Sequence, residues 1–416
     1  MSIIKNKITP VFVKIVLRMV LFAYSLVIAV LPKKRRKNFE KDELVTVLLT
    51  GTFYSENWIM NHLRPIAECS SCRKVFVVTT FPIPPTEKVE IIYPSEKLVR
   101  RIGKVPARLL TFVLKAFRLR PDYIGGFHLL LNGLLSGLCA RLSGANSIYF
   151  CGGGPREVLD GGIHGSKLFG LMKTPDKYLE RKLIAAVGTL DHVITMGHRT
   201  VDFFKAHGVR TNFSVIPGGI PKPDNYLKNS EKIYDIIFVG RLEQVKRLDL
   251  LLGAIKIISD EIPELKAVLV GTGSLENELR LKVDTLNIQK NVEFAGFQRD
   301  VFPWLFKSKI FVITSDSEGL PLALMEAMTV GLPCVVSDVG ELGEIVINGE
   351  NGYLVRERNA HAFAIYLREL VINTKLYNAM VAAVNVTSKR FEVHYASEAW
   401  DKILCNSFLS GILIVE

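Results

Sequence analysis

Apolar positions in this chain fall mostly in short unbroken runs rather than in strict alternation. Leu44 to Leu49, Val75 to Thr79, Glu90 to Tyr93, Ser147 to Cys151, His192 to Thr195 and Phe213 to Ile216 read as strands in the first half. Ile236 to Val239, Lys266 to Val270, Val292 to Phe294, Ile310 to Thr314 and Pro333 to Val336 do so in the second. Runs of this length and character suit parallel strands covered on both faces. Helical stretches lie between them, Leu129 to Leu142 the clearest, so the alternation predicts doubly wound α/β units with parallel sheets. A length of 416 residues is enough for two such cores. Ile216-Pro217-Gly218-Gly219-Ile220, two more prolines and a polar stretch to Lys232 make the best linker. The chain is therefore read as a segment 1–40, a first domain 41–220, a linker 221–232, a second domain 233–388, and a C-terminal helix 389–416 that crosses back to the first domain.

The N-terminal segment breaks this pattern. Val11 to Leu31 is mostly apolar, interrupted by Lys14 and Arg18 one helical turn apart. Its uninterrupted part, Met19 to Leu31, would cover about 20 Å as a helix, against a hydrocarbon core of roughly 30 Å. Lys33 to Lys37 follows where a cleaved signal peptide would need small residues. The segment is then a short or tilted span, a helix lying in one leaflet, or a helix buried in the soluble core. In the first two cases the basic run belongs on the cytoplasmic side, against an anionic membrane surface.

Charge sharpens this division. The net charge is +12, and nine cations with no acid precede Glu40, so the basic character is local. A second basic stretch, Ser95 to Asp122, has eight cations against Glu96 alone, interleaved with apolar residues. It suits a membrane surface; a solvated helix packed on the core is the plainer reading, and no nucleic-acid recognition module accompanies it. The six cysteines are scattered, several in apolar runs, which fits buried thiols in a reducing compartment; Cys69 and Cys72 form a CxxC without a second pair.

Candidate chemistry concentrates after the run Ile310 to Thr314. Ser315-Asp316-Ser317-Glu318-Gly319-Leu320-Pro321 leads into a helix that carries Glu326. Pro321 suits the first helical position. The free amides of such a helix start favour phosphate or sugar oxygens, and a ribose diol can donate two hydrogen bonds to one carboxylate. Upstream, Gly240 permits a close turn while Arg241 and Lys246 place two cations at a strand end, where they could stabilise a leaving diphosphate. Gly271-Thr272-Gly273 makes another turn. In the first half, Gly51 ends the first strand, and Cys151-Gly152-Gly153-Gly154-Pro155-Arg156, with His164 beyond, forms a glycine-rich loop where backbone can approach a ligand.

The spacing of Glu318 and Glu326 resembles the E-x7-E motif of retaining glycosyltransferases of the GT-B fold, in particular glycosyltransferase family four. Gly240-Arg241-Leu242 with Lys246 resembles that family's G-R-L-x-x-x-K signature, except that Arg247 stands where a glycine usually follows the lysine. The resemblance covers Phe213 to Leu354 closely, including a G-x-G turn at Gly271 and a hairpin-like turn from Asn348 to Leu354. It implies two Rossmann-like domains with a cleft between them, and metal-independent transfer with retention from a nucleotide diphosphate sugar. Arg241 and Lys246 would then hold the diphosphate, with Gly240 and Gly271 in the donor loops. Glu326 would bind the ribose, while Glu318 with the Gly319 and Leu320 amides, ahead of Pro321, orients the sugar. No cofactor beyond the nucleotide sugar is implied, and no DxD-type metal site stands out. The acceptor would be lipid-linked or a growing glycan. The family's first-domain histidine is replaced by Cys151-Gly152, so Gly51, Gly153, Arg156, His164 and His128 are the candidates on the acceptor side. A catalytically inactive sugar-nucleotide-binding scaffold is the alternative; the non-hydrolysing sugar epimerases share the fold but not this motif combination.

Overall fold

The computed structural model describes residues 10–31, 39, 43–53, 55–165, 167–221 and 230–405; the run Lys33 to Lys37 and most of the linker lie outside them. The chain divides into two compact units, one of Met1–Gly219 with Val393–Glu416 and the other Ile220–Glu392.

The first unit holds a sheet of β1 (Val45–Thr50), β2 (Cys72–Val78), β3 (Val89–Ile92), β4 (Tyr123–Phe127), β5 (Asn146–Cys151), β6 (His192–Thr195) and β7 (Asn212–Val215), in the order β3-β2-β1-β4-β5-β6-β7. Every neighbouring pair is parallel. β4 has no counterpart among the expected strands, because Tyr-Ile-Gly-Gly-Phe carries two residues of low strand propensity. Packing requires them: a Cβ on Gly126 would sit 2.5 Å from the Asn132 backbone. The expected helix from Leu129 also starts late. Leu129–Gly133 is an irregular turn with Leu131 at φ 67°, and the regular helix runs from Leu134.

Helices of this unit are α1 (Pro10–Val30), α2 (Glu56–Glu68), α3 (Glu96–Ile102), α4 (Lys104–Leu119), α5 (Leu134–Ser143), α6 (Lys167–Gly170), α7 (Lys177–Val187) and α8 (His198–Ala206). α3 and α4 make up the second basic stretch. Its cations are mostly exposed, but Arg108 is buried and donates to the hydroxyls of Thr50 (2.6 Å) and Thr52 (3.2 Å). That arginine ties α4 to the end of β1. Both cysteines of the CxxC are buried and free.

The second unit holds β8 (Tyr234–Val239), β9 (Ala267–Val270), β10 (Val292–Gly296), β11 (Ser308–Ile313), β12 (Cys334–Ser337) and β13 (Gly352–Val355), ordered β10-β9-β8-β11-β12-β13 and again parallel throughout. The turn before β13 is therefore not a hairpin: β12 and β13 run in the same direction. Its helices are α9 (Leu248–Glu261), α10 (Glu276–Thr285), α11 (Phe302–Phe306), α12 (Leu322–Thr329), α13 (Leu342–Ile345), α14 (Ala360–Ile372) and α15 (Thr374–Thr387). α9 and α14 cover one face, burying Leu251, Ile255, Phe363 and Leu367 against Ile236, Phe238 and Leu269. Strand order reverses between β8 and β11, and in open α/β sheets such a point opens a crevice at the carboxyl ends of the strands.

A last helix, α16 (Val393–Leu404), belongs to the first unit and packs on α2. Trp400 is 1% exposed and lies 5.5 Å from the Phe150 ring. Tyr123 Oη donates to the carbonyls of Ile403 and Leu404 at 3.1 and 3.0 Å, and Asp401 accepts from the Ser70 and Ser71 amides. The helix is thus part of the first unit's core. Trp400→Ala is expected to lower folding stability by about 3–5 kcal/mol, read from urea melts; a loss below about 1 kcal/mol would place α16 outside that core.

Candidate functional site

Four loops at the carboxyl ends of β8, β9, β11 and β12 bond to one another. The Leu242 amide donates to the Thr272 carbonyl (3.0 Å), the Asp316 amide to Val245 (2.9 Å), and the Glu341 amide to Gly319 (3.2 Å). Thr314 Oγ1 donates to the Lys246 carbonyl at 2.8 Å. Approach is closest at Gly271, whose φ is +135° and where a Cβ would lie 1.9 Å from the Gly240 oxygen. Gly271 is thereby fixed by geometry. The loops form one rim at the point where strand order reverses.

Two groups expected to act together meet on this rim. Lys246, on a 3₁₀ turn (Gln244–Lys246), pairs with Glu318 at 2.6 Å, with both side chains largely buried at 16% and 10% exposure. Ser315 Oγ also donates to the same carboxylate oxygen. A pair this enclosed keeps its attraction, because little water screens it, and losing one partner strands the other. Arg241 does not share the arrangement. Its side chain is exposed, and its charge helps hold Glu243 below the usual carboxylate range, after the larger effect of hydrogen bonds from Ser274.

The resemblance leads one to expect a glycine where Arg247 stands, and the backbone here suits one. It adopts the left-handed conformation, φ 47° and ψ 45°, which costs an L side chain but not glycine. The arginine is secured by a two-pronged pair with Asp249 (3.0 and 3.0 Å) and a contact to Asp316 (3.2 Å). Arg358 reaches the same Asp316 oxygen at 3.4 Å. Asp316 thus braces the loop.

The helix start differs by one residue from expectation. Pro321 has ψ 134° and precedes α12, which begins at Leu322; the Pro321 carbonyl accepts from the Leu324 amide at 3.1 Å. The proline fixes the entry angle from outside the helix. Among the described residues no acceptor pairs with the Gly319 and Leu320 amides, which leaves two donors open to an oxygen-rich ligand.

Glu326 lies inside α12 at 6% exposure, and among the described residues no donor bonds to its carboxylate. Burial, aided by the Asp300 charge, pushes it up to about 7. A buried carboxyl without a donor is poised to accept hydroxyl hydrogen bonds, which would favour its ionised form.

The first unit contains a separate cluster. His128 has φ 64° and follows β4; its Nδ1 is 2.9 Å from Glu157 Oε1. Glu157 is 3% exposed and also accepts from the Leu129 amide (2.7 Å), the Gly153 amide (2.7 Å) and Tyr149 Oη (2.8 Å). Burial pulls the His128 imidazole down, but the Glu157 carboxylate more than offsets this and holds it above its ordinary value. Burial likewise raises the Glu157 carboxyl, yet His128 and the two amides leave it below its usual range. Trp58 stacks on His128 at 6.2 Å and lies 4.2 Å from the His62 ring. Burial holds His62 neutral, pushed down to about 4; its Nδ1 bonds to the Trp58 carbonyl, and its buried Nε2 has no partner among the described residues.

Of the acceptor-side candidates, the structure brings His128 and Gly153 together through Glu157. Gly51 is buried after β1, where a Cβ would strike the Phe53 ring at 2.4 Å. His164 is exposed and 3.8 Å from Asp160, outside this cluster, and Arg156 is exposed. Glu157, Trp58 and His62 had no assigned role in the sequence. The available signal was Glu157 itself, the first acid of the glycine-rich loop, four residues after Gly153.

Residues 222–385 match the family of glycosyl transferases group 1. The chain carries a group 1 glycosyltransferase domain. Among solved structures, HepE of Anabaena in complex with UDP superposes with a TM-score of 0.66 at 17% identity, over 87% of this chain and 100% of that one. At such identity the likeness speaks for the fold, which is GT-B, with two Rossmann-like α/β units. An uncharacterized glycosyltransferase of Haemophilus influenzae is 29% identical over 239 residues, 56% of this chain and 65% of that protein. The UDP-Gal:alpha-D-GlcNAc-diphosphoundecaprenol alpha-1,3-galactosyltransferase of Escherichia coli is 34% identical over 145 residues, 34% of this chain and 37% of that enzyme. The chain spans less than two thirds of the length of these curated relatives.

Within the group 1 domain, the raised Glu326 has a measurable consequence. Because its folded value lies above the ordinary 4.5, its neutral form favours the fold at low pH, and that advantage is lost as pH rises from 4.5 through about 7. Glu326→Gln stays neutral throughout. Urea melts are expected to show the variant gaining up to about 3 kcal/mol on the wild type at about pH 8 and much less at about pH 5. A pH-independent difference would contradict the burial of this charge.

Proposed function

We propose that the protein is a retaining glycosyltransferase that works without metal, moving a sugar from a UDP- or GDP-sugar to a lipid-linked or growing polysaccharide acceptor at the cytoplasmic membrane face. The observation that carries this reading is the Lys246–Glu318 pair on the same rim as the open Gly319 and Leu320 amides, with the donor-free Glu326 on the helix that follows. Together these offer a cation for phosphate, hydrogen-bond donors for oxygen, and a carboxyl for a diol.

In this scheme the ribose hydroxyls donate to Glu326. Lys246, joined by Arg241 once its exposed guanidinium swings onto the ligand, takes the diphosphate, while Glu318 and the two amides hold the sugar hydroxyls. Once the ligand replaces their direct 2.6 Å contact, Lys246 and Glu318 flank the bond between phosphate and anomeric carbon. That bond breaks as the acceptor hydroxyl attacks from the same face. The hydroxyl proton passes to the leaving phosphate oxygen, whose charge Lys246 and Arg241 stabilise. The first unit holds the acceptor, with His128 kept oriented by Glu157 as a hydrogen-bonding group for it.

UDP-bearing relatives such as HepE support a nucleotide-sugar donor, and the diphosphoundecaprenol acceptor of the Escherichia coli relative supports a lipid-linked acceptor class. A thermal-shift screen of nucleotide sugars identifies the donor. With that donor and a lipid acceptor extract, Glu326→Ala and Lys246→Ala are each expected to lose about a hundredfold or more in transfer while keeping wild-type far-ultraviolet circular dichroism. Near-normal turnover in both would rule the scheme out.

A further inference from the structure

Helix α1 turns its two interrupting cations toward the protein. Lys14 Nζ donates to Thr174 Oγ1 at 2.7 Å and to the Pro175 carbonyl at 3.1 Å, and Arg18 pairs with Asp176 at 2.9 Å. Asp176 is the N-cap of α7, accepting from the Tyr178 and Leu179 amides. On the same face Val13, Leu17 and Leu21 are buried in a core with Leu183 and Val187. Tyr24 Oη bonds to Thr189 Oγ1 at 3.2 Å, and Arg141 of α5 donates to the Ile28 and Leu31 carbonyls, both at 3.1 Å. The helix is fastened to the first unit from its first turn to its last.

The opposite face is largely exposed. Phe12, Met19 and Leu26, spaced seven apart, are 58%, 66% and 57% exposed, and no charge follows Arg18 within the helix. A spanning helix would have to leave these anchors or carry part of the unit into hydrocarbon. A helix lying flat needs neither, since only its outer face enters the acyl boundary. Charge favours a lipid surface as the occupant. The sequence after α1 supplies Lys33 to Lys37, and α4, which like α1 packs on α5, exposes Leu110, Leu114 and Phe117 beside Lys104 and Arg118.

We propose that α1 is a monotopic anchor lying in the plane of one anionic leaflet, with α4 as a second contact. This rests on the membrane placement given above and adds its topology. The test uses the full chain with single cysteines at Phe12, Met19 and Leu26 in a Cys405→Ser background, each carrying an environment-sensitive fluorophore. Vesicles of phosphatidylcholine and phosphatidylglycerol contain lipids brominated at shallow or deep acyl positions as quenchers. The flat helix predicts equal, shallow quenching at all three positions, and about tenfold weaker binding when phosphatidylglycerol is omitted. A span would spread positions 12 and 26 over about 21 Å of depth, with position 19 deepest. That result would overturn the flat topology and leave the membrane placement standing. Vesicle binding without quenching would likewise remove α1 as the anchor, and failure to float with either vesicle would overturn the membrane placement itself.

Discussion

The loops at the carboxyl end of the second unit's sheet meet around one ion pair, Lys246 with Glu318. The two residues come from loops after different strands, β8 and β11, which are neighbours only because the strand order reverses there. The sheet brings them within reach, and the backbone bonds among the four loops hold them in register. Enclosure strengthens their attraction and makes each the other's condition of burial. A ligand that replaces this mutual contact must itself be anionic toward Lys246 and rich in hydroxyl donors toward Glu318. A sugar linked to a diphosphate meets both demands.

A similar economy governs the first unit. Glu157 is buried with four donors, and the cost of burying its charge is offset by His128, two amides and Tyr149. The glycine-rich loop is thereby tied to β4 and β5 through one carboxylate. His128 is left oriented and stacked on Trp58 in a conformation that few non-glycine residues adopt. Such local strain survives only where the surroundings over-determine it.

Much of the fold could be read in the sequence because apolar runs such as Val193–Thr195 and Phe311–Ile313 become strands buried on both faces. β4 escaped because its glycines are explained by neighbours distant in sequence, such as Asn132, which no local pattern reveals. Motif spacing singled out Lys246, Glu318 and Glu326, and the structure places them on the rim and the helix that follows. It gave no warning that Arg241 would stand exposed or that Arg108 would be buried. Charged residues reveal themselves by type, but their partners are set by tertiary contacts. The same reason hid the inward turn of Lys14 and Arg18, which looked like breaks in an apolar run and are its attachment points.

The central claim is that the second unit receives a nucleotide sugar through Glu326, whose buried carboxyl is pushed up to about 7 and must ionise to accept a ribose diol. Calorimetric titration near pH 7, in two buffers of different protonation enthalpy, measures this directly, using the nucleotide sugar that stabilises the protein most. Its diphosphate, esterified at both ends, carries no proton of its own to confuse the reading. The account predicts net proton release on binding to the wild type, and weaker binding without release in Glu326→Gln. Equal proton exchange in both proteins, or proton uptake, would contradict it.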